Sequence, residues 1–352
     1  MAQAIPPKFG VWAPVHGPRA AWQDPAEPFD ASWEHNRDTV LEAEALGFDA
    51  TLIAQHTVNP FLPDNDQLET WTAAAALAAL TTRIELIAAI KPYIHHPVFL
   101  AKMALQIENI SRGRLDLNLI NAWNKAEFEK AGIPFGEHDE RYEYGEEWIS
   151  VVSRLIGGER VEHQGKRFHV TDYKLTPGDL YRPRPRIYVG GESEPARALV
   201  ARHGDVWFIN AQPLGQVADL ISDLRRRPRR GEPLQYGLSA FVIVRDSDAE
   251  AQDYYQHLLA LARKDSDARE ALHRRTDPKA VMHQTIARTV SVGSNGGTAA
   301  GLVGSYDQVA ERILAFQKAG IGLFMLQFQP LRAELRRFAT HIFPRVGRKA
   351  VV

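Results

Sequence analysis

Residues 113–142 read GRLDLNLINAWNKAEFEKAGIPFGEHDERY. A Gly-Arg turn leads into an apolar run, Leu115, Leu117, Leu119 and Ile120, of the length of a strand buried on both faces. Asn118 lies within the run and Asn121 at its C-terminal end, followed by Trp123, Glu127, Arg141 and Tyr142. In parallel α/β folds ligands bind where strands end, so amides and charged groups beyond a buried strand have the composition of a site. The same letters also describe a strand followed by an ordinary solvated helix. By itself the stretch leaves both readings open.

Seven more apolar runs have strand character: 9–15 (FGVWAPV), 48–54 (FDATLIA), 84–90 (IELIAAI), 186–190, 205–211, 236–244 and 322–328. Helices are expected at 33–46 behind a Ser32 cap, and at 70–80, 98–109, 140–156, 194–203, 216–227 and 248–263. Eight strands, most followed by a helix, predict an α/β (β/α)8 TIM barrel with insertions, as one domain over 1–352. An open doubly wound sheet is disfavoured because no strand runs into a GxGxxG loop. Residues 159–173 alternate about Gly165 and predict an inserted hairpin. Residues 265–304, with five glycines between Ser291 and Gly304, predict a mobile lid carrying Arg288 and Thr289.

The chain of 352 residues is 45% apolar and 24% charged, with a formal net charge of −1. That balance gives no electrostatic case for nucleic acid or an anionic membrane. The basic cluster at 225–230 sits beside Pro228 and Gly231 and reads as a solvated loop. Without cysteine, thiol nucleophiles, disulfides and Cys-ligated metals are excluded. The start lacks the charge and apolar core of a signal peptide, and no run approaches ~18 apolar residues, so a cytoplasmic location is expected.

Gly190, Gly191 and Ser193 close the fifth strand and open a helix, where a phosphate is held in such barrels by close backbone approach and N-terminal amides. No HxxxH, HExxH, GxSxG or GxxxxGK[ST] occurs, which argues against a metal site, a serine hydrolase and an NTPase. Glu127 and Arg141 taken singly are ordinary surface ion-pair residues, His56 a core histidine, and Trp12, Trp123 and Tyr93 packing aromatics. What favours a site is that nearly all fall at C-terminal strand ends.

With these residues in place, the chain resembles the bacterial luciferase-like flavin monooxygenases, closest to the group acting on dimethyl sulfone, alkanesulfonates and pyrimidines. The likeness runs from 9–15 to RRFATHIFPRV at 336–346, and is most specific at 110–120, 121–128, 138–142, 190–193 and 301–305. The resemblance implies a two-component enzyme that receives reduced FMN from a separate NAD(P)H-dependent flavin reductase. It also implies reaction with O2 to a peroxyflavin that oxidises and cleaves a small substrate, and a homodimer or tetramer. Position by position it implies Asn118 near the flavin ring and oxygen site, Glu127 at the ring edge, Arg141 and Tyr142 as a flavin-binding pair, and Ser193 on the phosphate. Gln55 and His56 fall where pyrimidine-cleaving relatives carry an Ile-Lys pair.

One departure bears on the substrate. Alkanesulfonate enzymes carry Arg-x-His on the seventh strand, where this chain has Ser239, Ala240 and Phe241. A sulfonate would lose its guanidinium partner, so a neutral or weakly polar substrate such as a sulfone is expected, in a pocket formed by Trp12, Lys91, Tyr93, Ser239, Phe241 and Arg288. His16, His56 and Tyr93 are acid–base candidates by location. Alternatives are a ring-cleaving pyrimidine or amide monooxygenase, a deazaflavin-dependent dehydrogenase, and a flavin-binding protein without catalysis.

Overall fold

The structure, a computed structural model, describes residues 6–229, 231–281 and 292–349. Eight parallel strands close a barrel: β1 (Lys8–Trp12), β2 (Ala50–Ile53), β3 (Glu85–Ile90), β4 (Leu115–Leu119), β7 (Ile187–Gly190), β8 (Val206–Ile209), β9 (Gln235–Phe241) and β12 (Leu323–Gln327). Their order around the barrel is β1-β12-β9-β8-β7-β4-β3-β2. The hairpin insertion supplies β5 (Val161–Gln164) and β6 (His169–Tyr173), paired antiparallel. Each of the eight apolar runs singled out in the sequence overlaps one barrel strand.

The strands are buried on both faces because the ring of side chains inside and the helices outside each remove one face from water. In β4 every residue is buried, including Asp116 and Asn118. The helices are α1 (Trp33–Ala45), α2 (Thr70–Leu80), α3 (Pro97–Ser111), α4 (Lys125–Lys130), α5 (His138–Ile156), α6 (Glu194–His203), α7 (Leu214–Arg226), α8 (Asp248–Lys264), α9 (Ser266–Arg275), α10 (Tyr306–Ala319) and α11 (Leu331–Ile342). Ser32 caps α1 by accepting from His35 N at 3.2 Å, as its position before the helix predicts. The turn opening the quoted stretch is left-handed at Arg112 (φ 59°) and Gly113 (φ 87°). A Cβ on Gly113 would lie 2.9 Å from Tyr181, so glycine lets α3 turn sharply into β4.

The 236–244 run departs from the expected single strand. It divides at Val242: β9 stays in the barrel, while β10 (Ile243–Arg245) pairs with β11 (Val303–Ser305). The switch is local hydrogen bonding. Val242 N donates to Gln327 O at 3.1 Å, and Ile243 N, one residue on, donates to Leu302 O at 3.0 Å.

At the N-terminal end of the barrel, charged side chains form a closed network. Arg182 Nε donates to Glu108 at 2.5 Å and Nη2 approaches Asp116 at 2.9 Å. Arg186 bridges Asp116 at 2.9 Å and Glu85 at 2.8 Å, and Arg184 grips Asp205. Such an end belongs to stability, and the opposite, C-terminal end is where barrel chemistry is assembled.

Candidate active site

The C-terminal strand ends surround a cavity of about 230 Å³. Its wall brings together thirteen residues singled out in the sequence: Trp12, His16, Gln55, His56, Lys91, Asn118, Asn121, Trp123, Arg141, Tyr142, Gly190, Gly191 and Ser193. They come from five barrel strands, β1, β2, β3, β4 and β7, or the loops just beyond them, and from α5.

On the β2–β3 side lies a buried charge cluster. Lys91 Nζ is 2.5 Å from Glu127 Oε2 and 3.0 Å from His56 Nδ1, which is itself 3.1 Å from the same oxygen. Thr57 completes the carboxylate, its N donating to Oε1 at 2.8 Å and its hydroxyl at 3.2 Å. Burial alone would raise the Glu127 pKa, but the His56 bond and the Lys91 charge outweigh it and hold it at about 2. Burial, then the Lys91 charge, pull His56 down to about 4, so its ring is neutral at physiological pH. Nδ1 is occupied by this pair, which leaves Nε2 for the cavity that the ring lines. Glu127 does not line the cavity. It sits one layer behind and fixes the two groups that do.

On the β7 side the chain turns through Gly190 and Gly191 into α6. A Cβ on Gly190 would fall 2.6 Å from Ile120 Cδ1. On Gly191, whose φ is +106°, it would fall 3.0 Å from the Tyr142 hydroxyl. Trp207 Nε1 donates to Gly191 O at 2.9 Å, and Glu192 accepts from Asn210 N at 2.8 Å and Gln212 Nε2 at 2.9 Å, so the bend is pinned to the end of β8. Ser193 caps α6, accepting from Ala196 N at 3.4 Å. The result is a bare backbone cradle at a helix N-terminus, the arrangement that receives phosphate.

Between these sides are polar atoms without partners among the described residues: Asn118 Oδ1 and both amide atoms of Asn121. Buried amides left unpaired are unfavourable in a finished core and are the ordinary condition of a ligand site. Gly145 of α5 makes room for one of them, since a Cβ there would lie 1.9 Å from Asn121 Oδ1. Ala122, at the cavity wall, has φ 52°, a strained value for a non-glycine residue of the kind held at functional sites. Arg141 spans the region, with Nε donating to Asn121 O at 3.2 Å and Nη2 pairing with Asp277.

Three predicted pocket residues lie elsewhere. Tyr93 follows Pro92 in a short 3-10 turn that carries it outward, to stack on Tyr144 at 4.1 Å. Ser239 is fully buried and accepts from Trp12 Nε1 at 3.2 Å and Gln327 Nε2 at 3.3 Å, so it supports the cavity wall instead of forming it. Phe241 packs in a separate apolar cluster with Ala20, Ala21 and Val292. Arg288, Thr289 and the middle of the predicted lid lie outside the described residues, although Gly293, Ser294 and Gly296 reach the cavity.

The luciferase-like monooxygenase model matches residues 8–322. The chain belongs to that family. It is 30% identical to the FMNH2-dependent dimethylsulfone monooxygenase of Pseudomonas putida over 356 residues, covering 98% of this chain and 96% of the relative. Two solved structures share the family fold. One is DmoA from Hyphomicrobium sulfonivorans, with TM-score 0.80 and 20% identity, covering 98% of this chain and 89% of that one. The other is the EDTA monooxygenase of Chelativorans sp. BNC1, with TM-score 0.79 and 19% identity, covering 97% and 93%.

Within this luciferase-like monooxygenase, Arg19 and Trp22 also line the cavity and were not singled out from sequence. Their signal was present in HGPRAAW, a polar and aromatic segment just beyond the first strand, but the prolines around it read as loop. Among the described residues no cluster of three or more His, Asp or Glu could hold a metal ion, and no helix is long and apolar enough to cross a membrane.

Proposed function

We propose that this monooxygenase binds reduced FMN, supplied by a separate NAD(P)H-dependent flavin reductase, and oxidises a small organosulfur compound, a sulfone or a sulfonate. The single observation that carries the cofactor is the pairing of the glycine cradle at α6 with unpartnered buried amides at Asn118 and Asn121. Bound reduced FMN supplies the electrons that activate O2, one oxygen atom of which enters the substrate.

The chain's own groups do the rest. Gly190, Gly191 and the α6 amides hold the phosphate, with the Ser193 hydroxyl alongside. Tyr142 and Arg141 bound the same wall, the arginine fixed by Asp277 so that its position is set before any ligand arrives. Asn118 and Asn121 offer hydrogen bonds to the ring and to oxygen. His56, neutral and fixed by Glu127 and Lys91, presents Nε2 as a hydrogen-bonding group of constant charge between pH 5 and 8. Trp12, Trp22 and Phe61 line the same cavity and keep water out.

The test is turnover of dimethyl sulfone with FMN, NADH, any flavin reductase and isotopically labelled O2. The label is expected in the product only when reduced FMN and O2 are both present. Anaerobic turnover, or turnover with a reduced deazaflavin alone, would overturn the reading.

A further inference from the structure

We infer that the loop following β1 forms an anion-binding subsite for the substrate, with the Arg19 guanidinium as its charge and His16 and Trp22 as flanking hydrogen-bonding groups. Arg19 is only 9% exposed and stands in the cavity wall. It donates to Ala13 O at 3.2 Å and Ser294 Oγ at 3.4 Å, and its guanidinium lies 4.5 Å from the Trp12 ring centre. None of these partners is charged. No carboxylate pairs with it among the described residues, and the residues outside that description include no Asp or Glu. The other two cavity cations just described are compensated, Lys91 by Glu127 and Arg141 by Asp277.

A buried cation without a counter-charge is unfavourable, and one facing a cavity has a partner only when an anion occupies it. Burial pulls the Arg19 pKa down to about 9, which still leaves it charged at neutral pH. Two further polar atoms of the same loop lack partners among the described residues: His16 Nδ1 on a residue 3% exposed and Trp22 Nε1 on one 7% exposed. Phe61 packs against both, edge-on to His16 at 4.8 Å and stacked on Trp22 at 5.2 Å. A guanidinium and an indole N–H beside apolar rings suit a small organic oxyanion, a carboxylate, sulfinate or sulfonate with a short apolar remainder.

Position separates this anion from a cofactor phosphate. In the ring order β1-β12-β9-β8-β7-β4-β3-β2, β1 and β7 are diametrically opposite. The glycine cradle follows β7 and Arg19 follows β1, so the two anion-receptive groups line one cavity from opposite strands of the barrel. The neutral substrate expected from Ser239 and Phe241 was read from the seventh strand alone, and Arg19 offers a guanidinium from a different element. The inference rests on the proposed function only in calling the ligand a substrate.

The test is isothermal titration of the protein saturated with oxidised FMN, which needs no turnover. Methanesulfonate, methanesulfinate and propionate are compared with neutral dimethyl sulfone. At least one anion is expected to bind the wild type at least about 10-fold more tightly than dimethyl sulfone, and the three anions show which oxyanion is preferred. Arg19→Gln should weaken that anion roughly 10²-fold while changing dimethyl sulfone less than about 3-fold. Arg19→Lys, which keeps the charge but not the fork, should fall between. The Tm of Arg19→Gln should be equal to or above that of the wild type, since an uncompensated charge has been removed. The inference is overturned by no anion binding to the wild type, by equal weakening of anions and sulfone, by loss of FMN affinity in Arg19→Gln, or by a lowered Tm. Anion binding through Arg19 without labelled oxygen in any product would break the proposed function and leave the subsite standing.

Discussion

At the N-terminal end of the barrel Arg182 joins Glu108 to Asp116, Arg186 joins Asp116 to Glu85, and both Asp116 and Glu108 have fully buried side chains that are nonetheless paired. At the C-terminal end, among the described residues, Arg19 has no counter-charge, and Asn118, Asn121, His16 and Trp22 keep unpartnered polar atoms. The strands are the same, and the residue types overlap. What differs is whether the partner belongs to the chain. One end is closed by its own charges and the other is left open for molecules that arrive from outside, which is how a barrel separates stability from chemistry.

The strongest way to break the contrast is Arg182→Ala. It leaves Glu108 without its cation and strips Asp116 of one of two, so unfolding free energy should fall by about 3–5 kcal/mol. Chemical denaturation measures the loss, and kcat per folded molecule should stay near that of the wild type. If stability is unchanged, the N-terminal network is ornamental and the comparison fails.

Asn118→Leu is the converse. Its Oδ1 makes no hydrogen bond among the described residues, so Tm should move by no more than a few degrees. Oxygen-dependent turnover should drop roughly 10²-fold, the usual effect of removing one positioned hydrogen-bonding group. A variant whose Tm falls sharply while turnover of the folded protein stays normal would reverse the assignment.

The strands were legible because burial on both faces leaves uninterrupted apolar runs, and the cradle because glycines at a strand–helix junction have few other uses. The break at Val242 was not legible: nothing in an apolar run says which neighbouring strand each residue will meet. Tyr93 and Ser239 show a second limit. Both follow or lie in the right strands, but lining the cavity depends on which way a side chain leaves the backbone, which strand order does not decide. Arg19 shows a third. A charge in a Pro-rich loop reads as solvated until its lack of a carboxylate partner is seen in three dimensions.

The pH dependence of stability sharpens the contrast further. His56 is depressed from 6.5 to about 4 by burial and then by Lys91, so the unfolded chain binds the extra proton first. Its contribution is complete above about pH 6.5 and is lost as pH falls toward 4, with a slope of at most about 1.4 kcal/mol per pH unit. His16, lowered mainly by burial, acts in the same direction. Glu127, held at about 2, adds a loss only below its ordinary value of 4.5. Glu27, Glu108 and Glu192, each raised by burial to about 7, act in the opposite direction over the same window, so the His56 share is read as a difference between melting curves: from pH 7 to 5 the wild type should lose stability relative to His56→Gln. A wild type that gains stability relative to His56→Gln on acidification would mean that His56 is protonated in the folded protein.

Tyr93→Phe sets the small end of the scale. Tyr93 was expected in the pocket, but its ring stacks on Tyr144 outside the cavity, and the stack survives loss of the hydroxyl. Stability should change by less than about 0.5 kcal/mol, as for surface substitutions away from special features. Turnover should stay within about 2-fold across pH 6–9, since a group that touches neither ligand nor cavity wall has no route to the barrier except through packing that phenylalanine preserves. A 10-fold loss in kcat with unchanged Tm would place the Tyr93 hydroxyl on a ligand after all, and would require the Pro92–Ile94 turn to swing inward when the site is filled.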